Sequence, residues 1–328
     1  MARNRSGSAV GFGKLPTGSD LTSMCFLIKR LHKHVCILVI SSLCAVAAQA
    51  NNDVLPRLLT NVPVDLNWVS LSYTNSSGNV SVDPSVALDV EATLHSYVVS
   101  YTRSFAAFGQ SATFTAAVPY ADLTLEGLVQ DEVVRAQDDR FADPRFRLAF
   151  NLSGAPALST AEFADYRQKT IIGFDIEVAA PLGHYDETRS INFGANRWAV
   201  IPELGIARRF KRITLEAAGA LAFFSDNDEY LGNQTLKQEP IAAIRGNLIY
   251  HFRRPGTWLG FSTMYLRGGE TTIDGVDRQD LQSTSRAGVS LSVPFGRRHN
   301  LLLKYSRGVT TRIGADFDNY NVSYTFRI

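Results

Sequence analysis

The chain has 328 residues, with 33 Lys/Arg against 31 Asp/Glu and a formal net charge of +2. That balance hides a division: six of the basic residues but only one acid fall within residues 1–50, so the remainder is acidic by three, which argues against a nucleic-acid partner. All three cysteines, Cys25, Cys36 and Cys44, also lie in that first stretch. Residues 51–328 therefore hold no disulfide framework, thiolate metal site or cysteine nucleophile.

Within residues 1–50, a basic stretch (Lys29, Arg30, His32, Lys33, His34) leads into an apolar run from Val35 to Ala47 and then Ala48-Gln49-Ala50. This is the order of a secretory signal peptide, with cleavage expected after Ala50. The apolar run is 13 residues, short of the roughly 20 that a membrane-spanning helix needs. Cys44 follows Leu43, with Ser41 three positions ahead of it, a context unlike a lipid-modified cysteine. Residues 1–23 are polar and rich in Gly and Ser, and Met24 would begin a signal of ordinary length. The sequence leaves the choice between Met1 and Met24 open.

No stretch beyond Ala50 holds 18 consecutive apolar residues, so any membrane crossing must be made by strands of a closed barrel. Period-2 alternation is frequent. Asn67 to Tyr73 opens the series. Tyr97, Val99 and Tyr101 alternate with Ser96, Val98, Ser100 and Thr102, and Phe114, Ala116, Val118 and Tyr120 with Thr113, Thr115 and Ala117. Phe146, Leu148, Phe150 and Leu152 alternate with Arg145, Arg147, Ala149 and Asn151; Ile172, Phe174, Ile176 and Val178 alternate with Gly173, Asp175, Glu177 and Ala179. Further segments follow at Trp198 to Arg208, Ile213 to Phe224, Ile241 to Phe252, Trp258 to Arg267, Ser285 to Val293, Leu301 to Arg307 and Asp318 to Ile328, which brings the count to twelve.

The connections sort by parity. Ser104 to Gln110, Arg209 to Arg212, Arg253 to Gly256 and Gly296 to His299 are short; Thr74 to Thr93, Ala121 to Asp143, Gly183 to Asn196, Ser225 to Pro240, Gly268 to Thr284 and Gly308 to Phe317 are long. Outer-membrane barrels place short turns and both termini in the periplasm and long loops outside, which makes every odd connection long. One even connection, Ser153 to Lys169, is too long for a turn, and its Ser159-Thr160-Ala161-Glu162 start predicts a periplasmic excursion with a helical turn.

The predicted fold is thus all-β, a transmembrane antiparallel up-and-down barrel of about twelve strands with periplasmic termini and long extracellular loops. Residues 1–50 form an extension and cleaved signal peptide, 51–66 a periplasmic segment and 67–328 the barrel, located in the outer membrane of a Gram-negative cell. A soluble sandwich would also alternate. It would not place Arg145, Arg147, Asp175, Glu177, Glu203, Glu216, Arg245, Arg286 and Lys304 on the second face of so many strands, whereas a watery lumen would. Aromatics near strand ends (Tyr73, Tyr120, Tyr250, Phe252, Trp258, Tyr305) suit interfacial girdles, and the terminal strand shows Tyr320, Val322, Tyr324, Phe326 and Ile328 on one face.

Longer strings carry a family resemblance: residues 141–148 (FADPRFRL), 151–158 (NLSGAPAL), 180–185 (APLGHY), 191–198 (INFGANRW), 202–205 (PELG) and 306–317 (SRGVTTRIGADF). In this combination and order the chain resembles the family named for the meta-pathway of phenol degradation, outer-membrane barrels usually labelled transporters, over nearly all of residues 51–328. It departs from the family at Phe141, where a small residue is usual, and at Ile328, where an aromatic is usual. The resemblance implies the barrel and a broad transport role, with aromatic compounds implied by the family's name.

The lumen set named above is expected to pair Arg145, Arg147 and Arg245 with Asp175, Glu177 and Glu203, as a plugging charge ladder or a selectivity filter. At the mouth, Asn192, Asn196 and Arg197 stand at a loop-to-strand junction, as a loop anchor or a solute contact. Thr311, Arg312 and Asp316 suit a loop clamp. Asp226, Asn227, Asp228 and Glu229 offer oxygen ligands but lack the spacing of a calcium loop, so no metal site and no cofactor are expected. The expected function is passage of small, aromatic or otherwise hydrophobic compounds. The expected partners are outer-membrane lipids, the solute, and the general export and barrel-assembly machinery. The rivals are an outer-membrane lipid hydrolase, for which His95 with Ser96 and Ser100 is the nearest constellation, and a plugged structural or surface-interaction barrel.

Overall fold

The computed structural model describes residues 56–57, 59–81, 90–129, 132–189 and 192–328. The expected signal peptide, its cleavage point and Met24 lie outside the described residues.

Twelve strands close into a barrel: β1 (Asn67–Ser81), β2 (Val90–Ala107), β3 (Gln110–Val129), β5 (Arg145–Ser153), β6 (Thr170–Ala179), β7 (Ala199–Phe210), β8 (Ile213–Phe224), β11 (Ile241–His251), β12 (Trp258–Gly268), β15 (Gln282–Phe295), β16 (His299–Thr311) and β17 (Gly314–Arg327). Each pairs antiparallel with its neighbours, and the ring shuts where β1 meets β17, from Trp68 opposite Arg327 to Ser81 opposite Gly314. Closure removes the unpaired edges that a hydrocarbon environment would penalise. All twelve predicted segments are strands of this wall.

Three of the six long connections are built largely as paired strand. The β1–β2 ladder continues to Asn79 opposite Glu91, β3 pairs through its upper part with β4 (Glu132–Phe141), and β16 and β17 are joined through Arg312 and Ile313 alone. Beyond the membrane the outer face meets water, so lipid no longer imposes an apolar alternation, yet backbone pairing carries on. Two other long connections contribute β9 (Asn227–Tyr230), β10 (Gln234–Gln238), β13 (Thr271–Ile273) and β14 (Val276–Asp277), a small antiparallel sheet on the extracellular side. The even connection after β5 holds one 3-10 turn, Glu162–Ala164; the Ser159 amide and hydroxyl both donate to the Glu162 carboxylate, and the Glu162 amide donates to Ser159 Oγ.

The outward face is apolar and bare: Val99, Leu204 and Ile244 are each more than half exposed. Such a surface far exceeds the apolar patches of soluble monomers and belongs against lipid. Tyr73, Tyr97, Tyr120 and Phe141 form a continuous row across four adjacent strands, with successive ring centroids 5.2, 6.4 and 5.2 Å apart, the arrangement of an interfacial girdle. Phe295, His299, Tyr324 and Phe326 cluster at the periplasmic rim, with His299 Nδ1 2.7 Å from the Tyr324 hydroxyl.

The segment ahead of β1 runs into the barrel from below. Leu59 is buried among Ala155, Ile171 and Ala207. It can reach the wall because Gly173 and Gly205 lack side chains there: a Cβ at Gly173 would lie 2.5 Å from Leu59 Cδ2, and one at Gly205 2.7 Å from Leu59 Cδ1. The Arg57 amide donates to Glu216 (3.0 Å), its guanidinium lies over Trp258 and bonds Thr60 Oγ1 (2.6 Å), and Asn61 Nδ2 donates to the Pro156 carbonyl (3.2 Å). Gly173→Ala is expected to lift Leu59 from its seat: amide exchange at residues 59–61 should quicken, and the protein should lose no more than the roughly 2 kcal/mol that burial of Leu59 contributes.

Candidate functional site in the barrel lumen

Alternation sends Arg145, Arg147, Asp175, Glu177, Glu203 and Arg245 to the inside of β5, β6, β7 and β11, and the structure brings all six together. Arg147 holds Asp175 in a two-pronged contact (Nε to Oδ1 2.9 Å, Nη2 to Oδ2 2.7 Å), with Glu203 4.0 Å from the same guanidinium. Arg145 donates to Glu177 (2.8 Å), and Arg245 donates to Glu203. The ladder runs diagonally because β5 and β6 set Arg147 directly opposite Glu177, and β6 and β7 set Asp175 opposite Glu203. Asp175 and Glu203 are each about 5% exposed.

The remaining expected lumen residues do other things. Glu216 lies deeper on β8, where it accepts from the Arg57 amide and from Asn247 Nδ2 (3.1 Å), so it anchors the inserted segment. Buried Arg286 on β15 donates to the Phe317 carbonyl at 2.7 Å and holds the upper end of β17. Lys304 on β16 lines the central cavity from a wall six places around the ring from β6.

Facing the ladder is a wall of hydroxyls and one amide. Ser70 bonds Thr325 (2.8 Å), Ser72 donates to Ser323 (2.8 Å), Thr102 bonds Thr115 (2.9 Å), and Asn321 Nδ2 donates to Thr74 Oγ1 (2.8 Å). Between the walls is a cavity of about 410 Å³. It is lined by the apolar side chains of Leu94, Phe193, Phe224, Ile241, Met264 and Leu266, interspersed with Arg147, Arg197, Arg245, Lys304, Ser72 and Ser323.

The mouth is a set of loop anchors. Asn192 Oδ1 accepts from the Asp186 amide (2.7 Å) and its Nδ2 donates to the carbonyls of Asp186 (3.1 Å) and Arg189 (3.0 Å), which ties the loop upon itself. Hydrogen bonds from the Thr188 hydroxyl and amide hold the Asp186 carboxyl below its ordinary range. Asn196, at φ +50°, donates to Asn227 (3.1 Å) and Glu229 (2.9 Å), and buried Arg197 donates to Gln238 and lies over the Phe224 ring. Asp143, between β4 and β5, accepts from the amides of Gly183 (2.9 Å) and Ala195 (2.8 Å); burial pushes its carboxyl up, and these amides with Arg145 pull it back.

The predicted clamp at Thr311, Arg312 and Asp316 is instead the tight β16–β17 hairpin. The Arg312 amide donates to the Ser283 carbonyl (3.1 Å), Thr311 stands opposite Thr284, and Asp316 packs against Gly308, where no side chain intervenes. The acidic run at Asp226 to Glu229 is drawn out by β9: Lys237 pairs with Asp226 at 2.9 Å, Asp228 accepts from Thr235, and Glu229 accepts from Asn196. Among the described residues no three His, Cys, Asp or Glu side chains converge as a metal site.

His95 points outward, bonded through Nδ1 to the Tyr73 hydroxyl (2.9 Å) and Asn75 Nδ2 (3.2 Å), whereas Ser96 lines the inner cavity. The two are on opposite faces of β2 and cannot act as a pair. Sequence reasoning missed Arg57, Leu59 and Asn61, which sit in an irregular stretch without periodicity. A usable signal was Gly173 and Gly205, glycines on the inward face of otherwise well-patterned strands, a mark of close backbone approach.

A sealed twelve-strand wall with an apolar exterior, aromatic girdles and a polar interior defines an outer-membrane β-barrel. Residues 72–326 match the profile of the family described as "Putative MetA-pathway of phenol degradation", and the chain belongs to that family. Among solved structures it is similar to the COG4313 outer membrane channel from Pseudomonas putida F1, with a TM-score of 0.71 and 18% identity over 84% of this chain and 100% of that one. Fainter likenesses are the β domain of the Bordetella autotransporter BrkA (TM-score 0.47, 10% identity, 81% and 100% covered) and the translocator domain of NalP from Neisseria meningitidis (0.47, 10%, 94% and 99%). No curated protein sequence matches the chain.

Proposed function

We propose that the protein is an outer-membrane channel that takes small apolar solutes, aromatic compounds among them, through its lumen. The observation that carries this reading is the cavity of about 410 Å³ inside the wall, whose lining mixes apolar side chains with hydroxyls on one side and charges on the other. That size suits a ligand of drug-like dimensions or smaller. A solute would settle against Leu94, Phe193 and Met264, then descend along the Ser and Thr wall, where hydroxyls exchange hydrogen bonds at little cost, and leave past the inserted N-terminal segment. The phenol-pathway name of the family supports an aromatic solute.

Uptake tests this in vesicles whose outer leaflet is lipopolysaccharide, comparing phenol with a hexose and with empty vesicles. Faster phenol entry with the barrel than without is expected, and no difference for either solute overturns the proposal. The Leu59 plug favours a second reading, a structural barrel closed by its own N-terminal segment, which predicts no uptake of either solute by the intact protein.

A further inference from the structure

We propose that the chamber prefers amphiphiles with one anionic head, an aromatic or short alkyl monocarboxylate, over neutral or cationic analogues of equal size. This rests on the chamber being the solute site. Five cationic side chains line the cavity (Arg145, Arg147, Arg197, Arg245 and Lys304) against two carboxylates, Asp143 and Glu177. Adding Asp175 and Glu203, which face the same lumen as partners of Arg147 and Arg245, still leaves more cations than anions. The side chains of the chamber therefore carry a net positive formal charge, and low-dielectric walls concentrate its effect.

The placement of these charges adds geometry to sign. Arg147 and Arg245 stand on the ladder wall, and Lys304 projects from β16, on the other side of the ring. An anionic head at this depth meets cations from both sides. It also finds donors in the Ser72 and Ser323 hydroxyls, and a carboxylate accepts several such bonds at once. Leu94, Phe193, Met264 and Leu266, which line the same cavity, give a ring or short chain a place out of water. A cationic head would meet Lys304 and the arginines, and a neutral alcohol would use the hydroxyls without the field.

Three probes of matched size test the idea on the whole folded barrel in detergent: phenylacetate, 2-phenylethanol and 2-phenylethylammonium, titrated calorimetrically. Phenylacetate should bind about tenfold more tightly than the alcohol at low salt, with the ammonium weakest, and the gap should narrow as salt rises. Lys304→Gln should cut the preference for the carboxylate several-fold, and Lys304→Glu should abolish it; heat-dependent gel mobility confirms that each variant is folded. Equal binding of all three probes, or tightest binding of the ammonium, overturns this inference and leaves the channel proposal standing. If none binds and none crosses in the vesicle assay, both fall. A preference that survives Lys304→Glu unchanged also overturns the inference, because the positive field would then not be its source.

Discussion

Replacing residues 56–62 with a Gly/Ser linker should convert a nearly closed barrel into an open one, seen in planar bilayers as a several-fold rise in unitary conductance. In the intact chain Leu59 sits between Gly173 and Gly205 and the Arg57 amide is bonded to Glu216, so the inserted segment occupies the lower lumen. Burying Leu59 is worth about 2 kcal/mol. Each hydrogen bond that ties the segment to its surroundings, from the Arg57 amide to Glu216 and from Asn61 Nδ2 to the Pro156 carbonyl, adds about 1 kcal/mol net. The seated segment is then favoured by a few kcal/mol, enough to leave the open form at about 1% or less. The linker removes all of these contacts and leaves β1 and its seam with β17 intact. Unchanged conductance in the linker variant would mean that the constriction lies elsewhere.

The second large effect concerns the ladder. Asp175→Ala removes the carboxylate that Arg147 grips with both prongs and leaves a mostly buried guanidinium with Glu203 at 4.0 Å as its neighbour. A buried charge stripped of its partner costs about 3 kcal/mol. Denaturation in urea, followed by loss of the heat-modifiable gel band, should show a midpoint shift of that size. The double change Arg147→Met with Asp175→Leu should recover most of it, since a pair replaced by apolar groups leaves nothing unpaired. Equal losses for the single and double variants would show that the ladder's contribution is packing rather than charge.

Much of this was legible because a barrel wall imposes opposite demands on alternate residues. Phe146, Leu148 and Phe150 against Arg145 and Arg147 announce lipid on one side and water on the other, and the same contrast in the sequence assigns Asp175, Glu177 and Glu203 to one interior face. Where lipid ends the contrast ends too. The upper part of β1, from Thr74 to Ser81, reads as a loop although its backbone is paired throughout. For the same reason Thr311, Arg312 and Asp316 read as a loop clamp when they belong to a hairpin. The plug was illegible for another reason: Leu59 is one apolar residue in an irregular stretch, and its seat is made by two glycines far along the chain, a complementarity that no local pattern encodes.

The segment that fills the lower lumen joins the wall only at its own C-terminal end, where Asn67 begins β1, and it lies inside the ring rather than within it. None of the strand pairings of the barrel passes through it. The stopper can therefore leave and return with the barrel as rigid as before, and the cost of each opening is set by a handful of side chains rather than by the stability of the protein. Evolution can adjust how often the door stands ajar by altering Leu59 or the glycines that receive it, without touching the architecture that keeps the protein in the membrane.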